Sequence, residues 1–222
     1  MSAKLHANGT TDTWEASTAL LRFLDDALKP GMRTLETGAG RSTLMFARKG
    51  AVHAAVTPAG AEIAAIQAEA ERLGVDLSRV TFHNAFSQDV LPSLASGEED
   101  LDVVFIDGGH GFPIPAVDFQ YLAPRLKVGG LLLIDDVDLW TGDMIVKVLR
   151  RERGWAYERK LQGRTAVFQK TAPFCAAEWT EQPYVAASSF WPQTMRKAGN
   201  GLALLLRGDF GRAVSKFSRE FA

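Results

Sequence analysis

The sequence predicts an α/β protein, a doubly wound sheet of seven strands, mostly parallel with an antiparallel last strand, followed by a C-terminal helical appendage. Three observations predict it. Short apolar runs alternate with segments of helical period from about residue 12 to residue 151. The first of these runs ends in a glycine-rich turn, Gly38-Ala39-Gly40, followed by a helical segment. Beyond residue 154, two strand-like runs flank Gln162-Gly163-Arg164, a short glycine-containing connection that reads as a β-hairpin and turns the final strand antiparallel.

The elements follow in order. Asp12 and Glu15 have capping-box spacing, and Ala19, Leu20, Phe23, Leu24 and Leu28 recur at helical period until Pro30-Gly31 stops the helix. A strand over Arg33 to Glu36, a helix from Ser42 to Lys49 and a strand from Ala51 to Val56 make a βαβ unit. An Ala/Glu-rich helix over 59–73, the strand Val80 to His83, a helix over 87–95 and the apolar strand Leu101 to Ile106 continue the alternation. A helix from Pro115, a Val128-Gly129-Gly130 turn, the strand Leu131 to Ile134 and a helix from Gly142 to Arg151 repeat it, and Trp155 to Leu161 with Thr165 to Gln169 form the hairpin. In such sheets ligands sit beyond the carboxyl ends of the strands, so the residues to weigh lie in strand-end loops.

At 222 residues, with 46% hydrophobic and 23% charged side chains, the chain is long enough to bury a sizeable core. It divides by pattern into a main domain over 1–170 and an appendage over 171–222. A net charge of -1 gives no field that would draw a polyanion, which argues against nucleic acid as the main partner. A lone Cys175 excludes an internal disulfide and fits a reducing, cytoplasmic setting, and no apolar run has the length of a membrane span.

The first strand ends in Glu36-Thr37-Gly38-Ala39-Gly40-Arg41-Ser42. Two glycines let the backbone approach a ligand, and a helix N-terminus follows. A carboxylate two residues before the first glycine repels a pyrophosphate but accepts a hydrogen bond from a cationic amine. A dinucleotide turn would have an apolar residue there, a third glycine where Thr43 stands, and an acidic residue about 20 positions on.

This segment resembles the first motif of class I S-adenosylmethionine-dependent methyltransferases. The fourth strand with its loop, Val103-Val104-Phe105-Ile106-Asp107-Gly108-Gly109-His110, and the fifth, Leu131-Leu132-Leu133-Ile134-Asp135-Asp136, resemble the metal-dependent branch of catechol-type, sugar and natural-product O-methyltransferases. The resemblance covers roughly residues 12–170 and implies a Rossmann-like sheet and methyl transfer from S-adenosylmethionine to a hydroxyl of a small molecule. It implies cofactor contacts from Glu36, Gly38, Ala39, Gly40 and Ser42, from Asn84 and Ala85 beside the adenine, and from Asp107. Many relatives hold the ribose with an acidic residue at the end of the second strand. Here Thr57-Pro58 stands instead, leaving the ribose to Thr57 or to Glu62.

Asp107, Asp135 and Asp136 end two strands that are neighbours in this fold. Carboxylates converging there suit a hard cation such as Mg2+; the other reading has them binding cofactor or capping helices. His110, three residues after Asp107 in a glycine-flanked loop, is the candidate general base, a role that the Asp-x-x-His spacing shares with some relatives. Trp14 and Trp140 are candidates to wall the acceptor. Two other readings stay open: metal-independent N- or O-methylation, and a binding subunit of methyltransferase fold that has lost turnover.

In the appendage the pattern predicts a helix from about Gly201 to Phe221. Leu202, Leu205, Leu206, Phe210, Val214, Phe217 and Phe221 form an apolar stripe, with Arg207, Arg212, Lys216 and Arg219 largely off it. From Arg196 to the end, six Lys/Arg face two Asp/Glu, a local charge of +4. The stripe can pack on its own domain, on a second copy in a homo-oligomer, or on an anionic membrane surface.

Overall fold

The computed structural model describes residues 16–94 and 100–206, and the chain divides into two compact units, Met1–Cys175 and Ala176–Ala222. In the first unit the strands β1 (Arg33–Thr37), β2 (Val52–Val56), β3 (Val80–His83), β4 (Leu101–Ile106), β5 (Leu126–Ile134), β6 (Trp155–Leu161) and β7 (Thr165–Lys170) form one sheet. Their order is β3-β2-β1-β4-β5-β7-β6. β1 to β5 pair in parallel, and β7 lies antiparallel between β5 and β6. The connecting helices are α1 (Thr18–Ala27), α2 (Arg41–Arg48), α3 (Gly60–Leu73), α4 (Ser87–Leu94), α5 (Ile114–Leu122) and α6 (Trp140–Leu149).

The central strands are apolar at successive positions because both faces of the sheet are covered. On β4, Val104 and Ile106 join one hydrophobic cluster with Leu132, Ile134, Ile145 and Phe168. Val103 and Phe105 point the other way and join Leu20, Leu24, Phe46 and Leu133. Complete burial of a side chain such as Phe105 contributes roughly 1.5–3 kcal/mol. The edge strand β6 is polar in its middle, with Glu158, Arg159 and Lys160 exposed, which discourages further strand pairing. Its hairpin turns on Gln162 (φ 47°) and Gly163 (φ 75°), the pair of left-handed residues that a two-residue turn of this hand demands.

Three expectations change. Asp12 and Glu15 lie outside the described residues; the described helix α1 is capped by Ser17, whose hydroxyl accepts from the Leu20 N–H at 3.1 Å. Val128-Gly129-Gly130 does not precede β5 as a turn but sits inside it as an irregularity, with Leu126 opposite Leu101 and Leu131 already opposite Val103. Gly129, at φ 88°, absorbs the extra residues.

The helix of the second unit, α7 (Pro183–Leu206), begins far ahead of the predicted Gly201, and the predicted stripe beyond Leu206 lies outside the described residues. Among the described residues no helix is long and apolar enough to cross a membrane.

Candidate active site

The sheet order reverses between β1 and β4, whose connections leave in opposite directions and open a crevice at their carboxyl ends. A cavity of about 520 Å3 lies there, walled by Thr37 to Ala39 after β1, Val56 to Pro58 after β2, and Asp107 to His110 after β4. That volume is of the size that takes a cofactor. Gly38 explains why the first turn needs glycine. Its φ is +87°, and a Cβ there would overlap the Asp107 carbonyl oxygen, so the ends of β1 and β4 approach more closely than any side chain allows.

Glu36 is 1% exposed and faces away from the cavity into a hydrogen-bonded knot. Ser42 Oγ donates to it at 2.6 Å, Thr43 Oγ1 donates to its other oxygen, and His53 Nε2 lies 3.1 Å away. His53 Nδ1 is 2.8 Å from Thr34 Oγ1, and the ring stacks on Phe46 with centroids 4.4 Å apart. Thr43 Oγ1 also accepts from the Gly40 N–H at 2.9 Å. The network therefore ties β1, β2 and the start of α2 together and sets the shape of the glycine turn. The pairing of His53 with Glu36 follows from the parallel register that puts Thr34 opposite His53.

Of the predicted cofactor residues, Gly38, Ala39, Thr57 and Asp107 line the cavity, while Glu36, Gly40 and Ser42 stand behind its wall. The Thr57 hydroxyl donates to Glu62 Oε2 at 3.3 Å, so the two candidates for the ribose stand together in the lining. After β3 the lining is made by Phe86, Ser87 and Gln88 rather than by Asn84 and Ala85. Phe86 is 56% exposed, an aromatic face that a flat ring can cover. Asp118 on α5 lies fully buried beneath this floor, against Thr37 and Gly108; burial pushes its carboxyl up, with the hydroxyls of Ser87 and Thr37 opposing.

At the other end stand the three aspartates. Asp135 is held by Thr165 Oγ1 at 2.6 Å and by Arg164 through Nε at 3.1 Å and Nη2 at 3.0 Å. Arg164 Nε also lies 2.8 Å from Asp136 Oδ1, and His110 Nε2 is 3.0 Å from Asp136 Oδ2. Desolvation, reinforced by the charges of Asp135, Asp136 and Glu36, pushes the Asp107 carboxyl well above the usual range, with Arg164 opposing. Asp136 is likewise pushed up by burial, against the pull of His110 and Arg164.

The groups close enough to share one cation are Asp107, His110 and Asp136, whose ligand atoms lie within 4.8 Å of one another. Asp135, predicted as a ligand, is instead engaged by Thr165 and Arg164. The antiparallel register explains this, since Ile134 opposite Ala166 brings the start of β7 beside the end of β5. Arg164 also lines the cavity, a site residue that the sequence motifs do not single out. Its signal was its place directly after a hairpin turn on the strand that returns beside β5.

Residues 35–137 match the family described as "Methyltransferase domain". The O-methyltransferase TomG from Streptomyces achromogenes, involved in tomaymycin synthesis and solved with SAM, aligns with a TM-score of 0.59 at 18% identity over 72% of this chain and 83% of that one. Cofactor-bound Rv0187 from MTB aligns with a TM-score of 0.58 at 19% identity over 70% of this chain and 81% of that one. SAH-bound PaMTH1, a methyltransferase from Podospora anserina, gives 0.56 at 18% over 74% and 83%. No curated protein matches the chain in sequence. Over residues 35–137, a little under half of its length, the chain is thus similar to methyltransferase domains, and its first unit has the Rossmann-like fold of the solved methyltransferases it aligns with.

Proposed function

We propose that the chain transfers the methyl group of S-adenosylmethionine to a hydroxyl of a small molecule, such as a sugar, a phenol or a natural product, with His110 as the base. The observation that carries this reading is the His110–Asp136 pair, 3.0 Å apart beside Asp107 at the cavity. Asp136 Oδ2 is buried with no hydrogen-bond partner among the described residues, so it is available to accept from Nε2–H once the ring turns toward it, which leaves Nδ1 as the nitrogen that takes the hydroxyl proton. Asp136 orients the ring and steadies the imidazolium that forms. Thr141 Oγ1 holds the His110 carbonyl at 2.8 Å and fixes the loop to the start of α6. The oxygen then attacks the sulfonium methyl in line, and most of the advantage is positional, because both reactants are held within one cavity.

A divalent cation fits the donor set. Three carboxylates, Asp107, Asp135 and Asp136, face one guanidinium, and the crowding and burial that push Asp107 and Asp136 upward are what a cation would offset. Asp107 and Asp136 would hold the ion beside His110, and it would lower the pKa of a coordinated hydroxyl. One observation favours a metal-independent variant of the same reaction: Arg164 already places a fixed cation between Asp135 and Asp136.

The exposed Cys175 is consistent with a reducing, cytoplasmic setting. The test is release of S-adenosylhomocysteine across a panel of sugars, phenols and macrolide-like alcohols, each with added Mg2+ and with excess chelator. Turnover abolished by chelator supports the metal-assisted form, and turnover indifferent to it supports the arginine form. Transfer to amines alone would overturn the hydroxyl assignment.

A further inference from the structure

The face of α7 is apolar, aromatic and exposed. Trp191, Met195, Leu202 and Leu206 follow one another at multiples of a helical turn, so they share a stripe, and they are 68%, 67%, 58% and 81% exposed. Phe190 stands edge-on to Trp191, with centroids 5.8 Å apart, and is 62% exposed. Beside Gly199 there is open space. In the sequence the same spacing continues through Phe210, Val214, Phe217 and Phe221, outside the described residues.

We propose that this helix binds an anionic membrane surface, lying in its plane with the stripe toward the acyl chains. Helices that do so combine a Trp/Phe/Leu face with Lys/Arg off it, and need neither the length nor the hydrophobicity of a membrane span. Arg196 and Lys197 lie off the stripe, on opposite flanks, and from Arg196 onward the chain carries a local +4 while the whole chain is at -1. The same charge speaks against a second copy as the occupant, because pairing two such helices would set like charges together. Pro192, Gly199 and Gly201 also weaken the regular heptad seam that helix pairing uses.

The test uses the full chain in flotation with vesicles of phosphatidylcholine alone or with 30% phosphatidylglycerol, at low and high salt. Binding should be at least tenfold stronger to the anionic vesicles and should weaken with salt. Trp191→Ser with Leu202→Ser should abolish it, and Arg196→Glu should weaken it by about fivefold or more, the worth of one basic residue near such a surface. Unchanged far-UV circular dichroism and S-adenosylmethionine affinity would show that these exposed substitutions leave the fold intact. Equal or no binding to the two vesicle types overturns the proposal. So does a dimer in light scattering that Trp191→Ser with Leu202→Ser dissolves while anionic vesicles are ignored.

Discussion

Replacing Gly38 by alanine probes the junction on which the cofactor pocket is built. The residue sits at φ +87°, a conformation that costs an ordinary side chain roughly 1–3 kcal/mol. The added Cβ would overlap the Asp107 carbonyl oxygen and lie 3.0 Å from its carbonyl carbon, and backbone cannot rotate aside as a flexible side chain can. Overpacking of this kind adds roughly 1–3 kcal/mol. The total is a large part of the roughly 5–15 kcal/mol that holds a domain together, so the variant should fold with a melting temperature lower by on the order of 10 °C.

Relief must move the turn after β1 or the loop after β4, and both line the cavity. Affinity for S-adenosylmethionine should therefore fall at least about tenfold, equivalent to about 1.4 kcal/mol. Gly31→Ala is the control. It has φ +83° but open space around it, so it should lose some stability and keep the affinity. Calorimetric titration and thermal melting of both variants provide the assay. A folded Gly38→Ala protein with wild-type melting temperature and wild-type affinity would refute the reasoning.

The other predictions concern carboxylates and the base. Asp136→Asn should cut the catalytic rate while sparing cofactor affinity, whereas Asp135→Asn should mainly cost stability, roughly 1–3 kcal/mol, because one of the two oxygens that accept from Thr165 and Arg164 becomes a donor and the guanidinium loses its opposing charge; the reverse pattern in melting and rate measurements would exchange their roles. Asp118→Asn should stabilise the fold increasingly as pH rises. Burial raises its carboxyl in the folded state, so the folded form holds the proton more tightly than the unfolded chain, and that stability is present at low pH and lost as pH climbs above the ordinary value of about 3.9. Melting temperatures of variant and wild type that stay parallel from below the ordinary value of about 3.9 up to neutral pH would contradict this. His110→Ala should lower the rate by about 10² to 10⁴ with cofactor affinity intact, and a loss below about threefold on a confirmed acceptor would make it a loop residue.

Much of the fold was readable because its strongest constraints are local. Val103 to Ile106 is apolar at every position, which only a strand covered on both faces sustains, and Gln162-Gly163 supplies the two left-handed residues of a tight hairpin. The site was readable as far as residues adjacent in sequence carry it: Gly38, Asp107 and His110 stand at the cavity they suggested. What sequence could not supply was pairing across the fold. The partnership of Glu36 with His53 depends on strand register, and the diversion of Asp135 to Arg164 depends on β7 returning beside β5. The loop after β3 was a candidate by its place at a strand end, but that Phe86, Ser87 and Gln88 line the cavity rather than Asn84 and Ala85 depends on how the loop packs.

Methyl transfer from S-adenosylmethionine to an acceptor oxygen, with His110 receiving the proton, leaves its mark on the product. The direct measurement supplies cofactor carrying a CD3 group to the wild-type protein and to His110→Ala, with the acceptor found by the screen, and locates the label in the product by mass spectrometry and NMR. The expected result is an O–CD3 ether from the wild type and at least about a hundredfold slower appearance of it from His110→Ala at saturating cofactor. Label on nitrogen, or equal rates from the two proteins, would contradict it.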